Sequence, residues 1–157
     1  MPLYLHYTVG FSWSVIGLIL SFMLIPFLFD SWYGKLADVH GEKKLLSLGF
    51  AIMGTATIIM AFITNGNPYV WAGILFMTRI GASIAETMIE TYFFKKVDAS
   101  KSHLIGFSRM GRPFAYVISP IVATLLFTVA DMKMLFVVLG VIMLYGLRYS
   151  LSIRDTV

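Results

Sequence analysis

The stretch WYGKLADVHGEKKLL, from Trp32 to Leu46, sets two glycines, two acids and three lysines between long apolar segments. The rest of the chain is mostly apolar, since 59% of all residues are hydrophobic and only 13% are charged. Ordinary soluble domains contain fewer apolar residues and about twice as many charged ones. The stretch is therefore predicted to be a short charged connection between membrane-spanning helices.

The apolar segments on either side have the length that a membrane requires. A helix needs roughly 20 predominantly apolar residues to cross about 30 Å of hydrocarbon. The polar turn NGNP, Asn65 to Pro68, separates the second segment from the third. The predicted spans are 8–29, 45–64, 69–94, 108–130 and 134–153. The sequence thus predicts an all-α polytopic transmembrane helix bundle of about five spans in one domain, residues 1–157.

Residue types that carry other chemistries are sparse. The chain has no cysteine, which excludes disulfides, thiolate metal sites and cysteine nucleophiles. His6, His40 and His103 lie far apart in sequence, which does not favour a metal site. The sequence contains no phosphate-binding loop, zinc-binding helix or serine nucleophile elbow. We therefore expect no catalytic residues, no metal and no cofactor, and we expect that the protein is not an enzyme.

The positions of the basic residues predict how the chain crosses the membrane, because basic loops are retained in the cytoplasm. Lys133 alone is predicted for the outer side. The residues predicted for the inner side are Lys35, Lys43, Lys44, Lys95, Lys96, Lys101 and Arg154. The sequence predicts a multi-pass protein of the cell (inner or plasma) membrane, with its N-terminus outside and its C-terminus cytoplasmic. With a net charge of +4, the lysines are expected to contact anionic headgroups of the lipid bilayer, and no nucleic-acid partner is expected.

The charged stretch also contains a recognisable spacing, G-x-L-A-D-x-x-G-x-K-K. Gly34 suits a close approach of helices, and Gly41 permits a positive φ. Asp38 is suited to accept hydrogen bonds from a nearby helix N-terminus, and Lys43 and Lys44 suit the inner face. The spacing resembles the loop motif of the major facilitator superfamily. The resemblance implies that this loop gates access at the cytoplasmic side, with Asp38 in a latch between the two halves of a transporter.

One face of the third span is polar. At about 100° per residue, Arg79, Glu86 and Glu90 fall on the same side of a helix, with Ser83 close to them. An ionisable residue in hydrocarbon costs at least about 2.5 to 3.5 kcal/mol, so this face must point into a bundle or a water-filled cavity. The segment from Met77 to Val97 also resembles the fourth or tenth helix of the same superfamily.

Two interpretations of this polar face remain open. In the functional one, Arg79, Ser83 and Glu86 belong to a substrate or proton pathway. In the structural one, Glu86 and Glu90 form a charge cluster with Arg109 or Arg112, which lie at the start of the fourth span. Close helix contacts are predicted at pairs of small residues spaced by four, namely Gly17 with Ser21, Gly81 with Ala85, and Ala115 with Ser119.

The number of spans bears on the extent of the resemblance. Superfamily members have two six-helix halves, with the substrate site between them. Five spans resemble helices eight to twelve, the C-terminal half, because the chain stops soon after its last span and Val39 replaces the usual basic residue of the loop motif. This implies part of a secondary active transporter that moves a small solute by alternating access and is completed by a missing N-terminal half or by an oligomer. The alternatives are a stand-alone membrane scaffold or regulatory protein, and a dimeric small transporter.

Overall fold

A computed structural model describes residues 1–97, 102–128 and 130–153, and within 102–112 it describes only the backbone, apart from residues 106, 110 and 111. These described residues form α-helices joined by short connections, and they contain no β-strand. The helices are α1 (Pro2–Tyr7), α2 (Trp13–Phe22), α3 (Asp30–His40), α4 (Glu42–Phe62), α5 (Pro68–Lys96), α6 (Ser102–Phe127) and α7 (Met132–Ser152), with a 3₁₀ turn (Ile25–Phe29) between α2 and α3.

Four helical stretches within the described ranges are long and apolar enough to cross a membrane. They are Trp13–His40, Glu42–Phe62, Pro68–Lys96 and Met132–Ser152. These stretches confirm the predicted all-α polytopic bundle. The apolar part of α6, Pro113–Phe127, is shorter than the others, so a crossing by the predicted span 108–130 stays a prediction.

The first span differs from its predicted range of 8–29. It begins at Trp13 and continues through the 3₁₀ turn and α3 to His40. Tyr33 and Ala37 of α3 are buried against α4 and α5, and this burial favours helix where a loop was expected. Only Gly41 separates α3 from α4, so the charged stretch around Asp38 is helical and not a loop.

Helix α4 lies at the centre of the bundle and packs along both α5 and α7. A Cβ atom added to Gly81 of α5 would lie 2.6 Å from the carbonyl oxygen of Gly49, so the two backbones are in contact there. On the other side of α4, a Cβ atom added to Gly140 of α7 would lie 2.8 Å from the carbonyl oxygen of Gly54. The contact predicted at Gly81 is confirmed.

The other predicted contacts between small residues are absent from the described part of the chain. A Cβ atom added to Gly17 would meet nothing within 4 Å. Ser21, Ala115 and Ser119 are exposed, because α2 and this part of α6 pack less extensively than α4, α5 and α7.

Residues Pro2–Tyr7, before the first span, form helix α1. Leu5 is fully buried, and the ring of Tyr4 packs edge-on against Trp71 and Phe136, with centroid distances of 5.7 and 5.4 Å. Trp71 and Phe136 lie near the first residues of α5 and α7. Helix α1 thus holds these two helices together at the end of the bundle opposite Lys95.

We predict that Gly81→Ala lowers the free energy of unfolding by about 1–3 kcal/mol, because the added methyl group overlaps the backbone of α4. The matched control is Gly73→Ala on the same helix, where the added Cβ meets nothing within 4 Å. Alanine there should be neutral or stabilise the helix by about 0.5–1 kcal/mol. Unfolding of the purified protein in detergent measures both, and equal stabilities of the two variants would contradict the α4–α5 contact.

Candidate functional site

A polar groove lies between the first span and α5, near the end of the bundle that carries Lys95. Its volume is ≈ 460 Å³. The groove is lined by Asp30, Glu86, Thr87, Glu90, Thr91, Phe94 and Lys95. All of these except Asp30 come from the last three turns of α5, where the helical repeat brings them to one side. Three carboxylates and two hydroxyl groups therefore surround one open cavity between two helical stretches of membrane-spanning length.

Asp30 enters this groove from the first residue of α3 and is held by Ser83. Ser83 is fully buried, and its Oγ lies 2.6 Å from Oδ1 of Asp30 and 3.2 Å from the carbonyl oxygen of Pro26. A distance of about 2.6 Å is typical of a hydroxyl that donates to a carboxylate. The contact fastens the middle of the first span to α5.

The residues predicted for the substrate or proton pathway occupy different environments. Glu86 is half-buried and lines the groove together with a second cavity of ≈ 300 Å³ between α4 and α5. Ser83 faces the first span, where Asp30 and the Pro26 carbonyl accept its hydrogen bonds. Arg79 is half-buried about two turns from Glu86 on the continuous helix α5, outside the lining of the groove.

A lysine-centred ion cluster lies at the same end of the bundle. The Lys95 ammonium nitrogen Nζ lies 2.7 Å from Glu42 Oε1 and 3.0 Å from Asp38 Oδ1. Glu42 is only 1% exposed, and its place in the first turn of α4 adds a favourable interaction with the helix dipole. The cluster joins α3, α4 and α5 through charge-assisted hydrogen bonds.

The partner of Asp38 differs from the expected one. Its carboxylate accepts a hydrogen bond from the Lys95 ammonium group. The N-terminus of α4 is occupied instead by Glu42, which lies in the first helical turn and is buried there. Because α3 remains helical up to His40, Asp38 is directed towards the last turn of α5.

The predicted gating loop is reduced to one residue between two helices. Gly41 has φ +86° and ψ +145°, which confirms the predicted positive φ. Gly34 lies on α3, and a Cβ atom added to it would meet nothing within 4 Å, so no described helix approaches closely at this residue. Lys43 and Lys44 follow in the first turn of α4, half-buried and exposed, respectively.

The predicted charge cluster on α5 and α6 is described in part. Glu90 is exposed and lines the polar groove. The side chains of Arg109 and Arg112 lie outside the described residues. Their pairing with Glu86 or Glu90 stays a prediction.

Sequence reasoning missed Asp30, Glu42 and the central role of Lys95. Asp30 directly follows the predicted span 8–29. Pro26, four residues earlier, was the available signal, because a proline within such a segment favours a break at which side chains of neighbouring helices satisfy the backbone. Glu42 and Lys95 are 53 residues apart, and no local pattern predicts their contact.

Comparison with known proteins was made for the whole chain. The family model of the Major Facilitator Superfamily matches residues 1–152. The chain belongs to this superfamily of membrane transporters. No curated protein and no solved structure matches the chain. The family membership confirms the resemblance drawn from the loop motif, and together with the four apolar helices it makes the protein a multi-pass membrane protein.

The two glycines of the loop motif should respond differently to alanine. Gly41→Ala places a side chain at φ +86°, where strain of about 1–3 kcal/mol is expected, so the protein should lose stability by that amount. Gly34→Ala is the matched control, because it lies in open space on α3. Thermal unfolding in detergent compares the two, and a Gly34 variant at least as destabilised as the Gly41 variant would contradict the described turn.

Removal of the Lys95 ammonium group should destabilise the protein. Lys95→Met removes a 2.7 Å ion-pair contact of the buried Glu42 carboxylate, and we expect a loss of about 2 kcal/mol in the free energy of unfolding. The control is Lys96→Met. The Lys96 ammonium nitrogen lies 5.7 Å from the centre of the Tyr92 ring, and its removal should lower the free energy of unfolding by less than about 1 kcal/mol. The second substitution Glu42→Gln should restore part of the stability that Lys95→Met removes, and no such recovery would argue against the ion pair.

Proposed function

We propose that the chain is part of a secondary active transporter that moves a small solute by alternating access. One observation carries the proposal beyond family membership. It is the polar groove of ≈ 460 Å³ with three carboxylates, between two helical stretches that are each long enough to span a membrane. Ionisable groups in such helices are costly unless water, a partner or a transported species compensates them. The open cavity beside these groups gives water or a small solute access to them.

Glu86 is the proposed proton-carrying residue of this pathway. Its side chain lines the groove and also the second cavity, so it borders open space on two sides of α5. Ser83 and Arg79 continue the polar face of α5 from Glu86 towards the middle of the span. In this proposal they contribute a hydroxyl group and a positive charge to the path of the solute or the proton.

The lysine-centred cluster is proposed to act as the gate at this end of the bundle. Its three members come from three helices, and Asp38 is more exposed than Lys95, with side-chain exposures of 64% and 35%. A contact in water is worth less than a buried one, so the bond to Asp38 can break while the bond to the buried Glu42 persists. Opening and closing of this bond would change the position of α3 against α5.

The orientation is proposed from the distribution of lysines. Lys35, Lys43, Lys44, Lys95 and Lys96 all lie near the junction of α3, α4 and α5, whereas Lys133 lies near the opposite end. The positive-inside rule places the first group in the cytoplasm. Ser150 near the end of α7 hydrogen-bonds Ser47 near the start of α4, over 2.6 Å, which supports a C-terminus on the same side. The N-terminus would then be outside.

We further propose that the chain corresponds to helices eight to twelve of the superfamily and that an N-terminal half or a second copy completes the transport site. Support comes from the open side of the groove and from α6, whose described side chains are mostly exposed between Pro113 and Phe127. A polar groove that opened to lipid would be unfavourable. Additional helices against this side would enclose it.

The test of the proposed function is Glu86→Gln, introduced into the gene in the native cells. We expect loss of solute-driven proton movement in membrane vesicles from these cells, since the amide cannot release a proton. The matched control is Asp131→Asn, the same chemical change immediately before α7 and outside the groove. A panel of sugars, amino acids and organic ions, with a pH-sensitive dye inside the vesicles, provides the measurement.

The two variants give distinguishable outcomes. Full proton movement in the Glu86 variant would exclude Glu86 as the proton carrier. Equal loss in both variants would point to a general loss of protein, and an immunoblot against the tail sequence measures the amounts present.

A further inference from the structure

The first span is broken where it passes α5. Helix α2 ends at Phe22, the 3₁₀ turn Ile25–Phe29 follows, and α3 begins at Asp30. Pro26 lies in this turn and has no N–H group to donate, so the regular helical hydrogen bonds are interrupted there. A 3₁₀ segment within a longer helix is a common position for a hinge.

One hydroxyl group meets this break from the side of α5. Ser83 Oγ lies 3.2 Å from the carbonyl oxygen of Pro26, in the turn, and 2.6 Å from Oδ1 of Asp30, at the start of α3. A serine hydroxyl has a single hydrogen to donate and can also accept. Ser83 can therefore donate fully to only one of these two oxygens at a time.

We propose that protonation of Asp30 determines whether the Ser83 hydroxyl donates its hydrogen to Asp30 or to the Pro26 carbonyl oxygen. When Asp30 is ionised, its carboxylate accepts the hydrogen of Ser83, because a charged acceptor forms the stronger bond. When Asp30 is protonated, its own O–H donates to Ser83 Oγ, and the Ser83 hydrogen turns to the Pro26 carbonyl. The chain Asp30 to Ser83 to Pro26 then fastens the 3₁₀ turn to α5, and ionisation releases it.

Several other ionisable groups surround Asp30 and belong in this account. Glu86, Glu90 and Lys95 of α5 line the same groove. Lys95 is itself bonded to Asp38 of α3 and Glu42 of α4, and Tyr33 lies one turn from Asp30 on α3. A response of the first span to pH must therefore be assigned to Asp30 by substitution and not by the pH dependence alone.

The mechanical consequence concerns α2. Helices α4, α5 and α7 are held by backbone contacts at glycines. Helix α2 is largely exposed, directly precedes the turn that Ser83 holds or releases, and should move with that turn. Protonation should restrict α2 against these three helices, and ionisation should allow it a wider range of positions. This inference is independent of the proposed transport function, because it describes a movement that is measured without a solute.

The movement can be measured as a distance between two spin labels, and the absence of native cysteines makes the labelling specific. The label positions are Leu18→Cys on α2 and Ile142→Cys on α7, both of which are exposed. We expect the distance distribution of the full chain in lipid nanodiscs to become narrower when the pH falls from about 7 to about 3, because side-chain carboxylates ordinarily gain their protons around pH 4.

Two substitutions should abolish this pH response in opposite ways. Ser83→Ala removes the link, so the distribution should stay broad at every pH. Asp30→Asn mimics the protonated acid, because its amide can donate to Ser83, and the distribution should stay narrow at every pH. The matched control is Ser150→Ala, which removes another buried hydroxyl contact of 2.6 Å, that with Ser47, and should retain the wild-type response.

Each contrary result would overturn the proposal. A wild-type distance distribution that does not narrow in acid would show that protonation does not restrict the first span. A response that survives in Ser83→Ala or Asp30→Asn would assign it to another group. Loss of the response in Glu86→Gln together with its retention in Asp30→Asn would assign it to Glu86.

Discussion

Backbone contact between helices at glycines is the constraint on which the rest of the bundle depends. Within a membrane the lipid is as apolar as leucine, so helices gain little by burying apolar side chains against each other. Close packing and polar contacts must hold them instead. Gly81 against Gly49 and Gly140 against Gly54 place α4 directly against α5 and α7. This arrangement fixes α5 in position and thereby fixes the polar face that the helix carries.

The charges of the bundle are placed where their cost is reduced. Glu42 is buried, but it lies at a helix N-terminus and 2.7 Å from an ammonium group. Lys95 in turn serves two carboxylates from two other helices, which makes it a junction of α3, α4 and α5. Asp30 and Glu86 line the open groove beside this junction. These ion pairs gather charged side chains at the end of the bundle that carries Lys95.

Sequence reasoning recovered those features that have a local pattern. Apolar segment length predicted the helices, four-residue spacing predicted the contact at Gly81, and the loop motif predicted both the positive φ of Gly41 and the family. It failed where distant residues decide the structure. The extension of the first span to His40 depends on burial of α3 against α4 and α5, and the partner of Asp38 is 57 residues away. Such contacts have no periodicity along the chain, so a single sequence does not contain a signal for them.

The proposed hinge, pathway and gate share one rigid element. Ser83, Glu86 and Lys95 lie in one 13-residue segment of α5. This segment is about 18 Å long at a rise of 1.5 Å per residue. This segment contains neither glycine nor proline, so it has no residue at which a helix commonly bends. Helix α3 is attached to this segment at two points, by Asp30 to Ser83 and by Asp38 to Lys95. Because Asp38 of α3 bonds to Lys95, both α3 and α5 connect the Asp30–Ser83 contact with the proposed gate at the lysine-centred cluster.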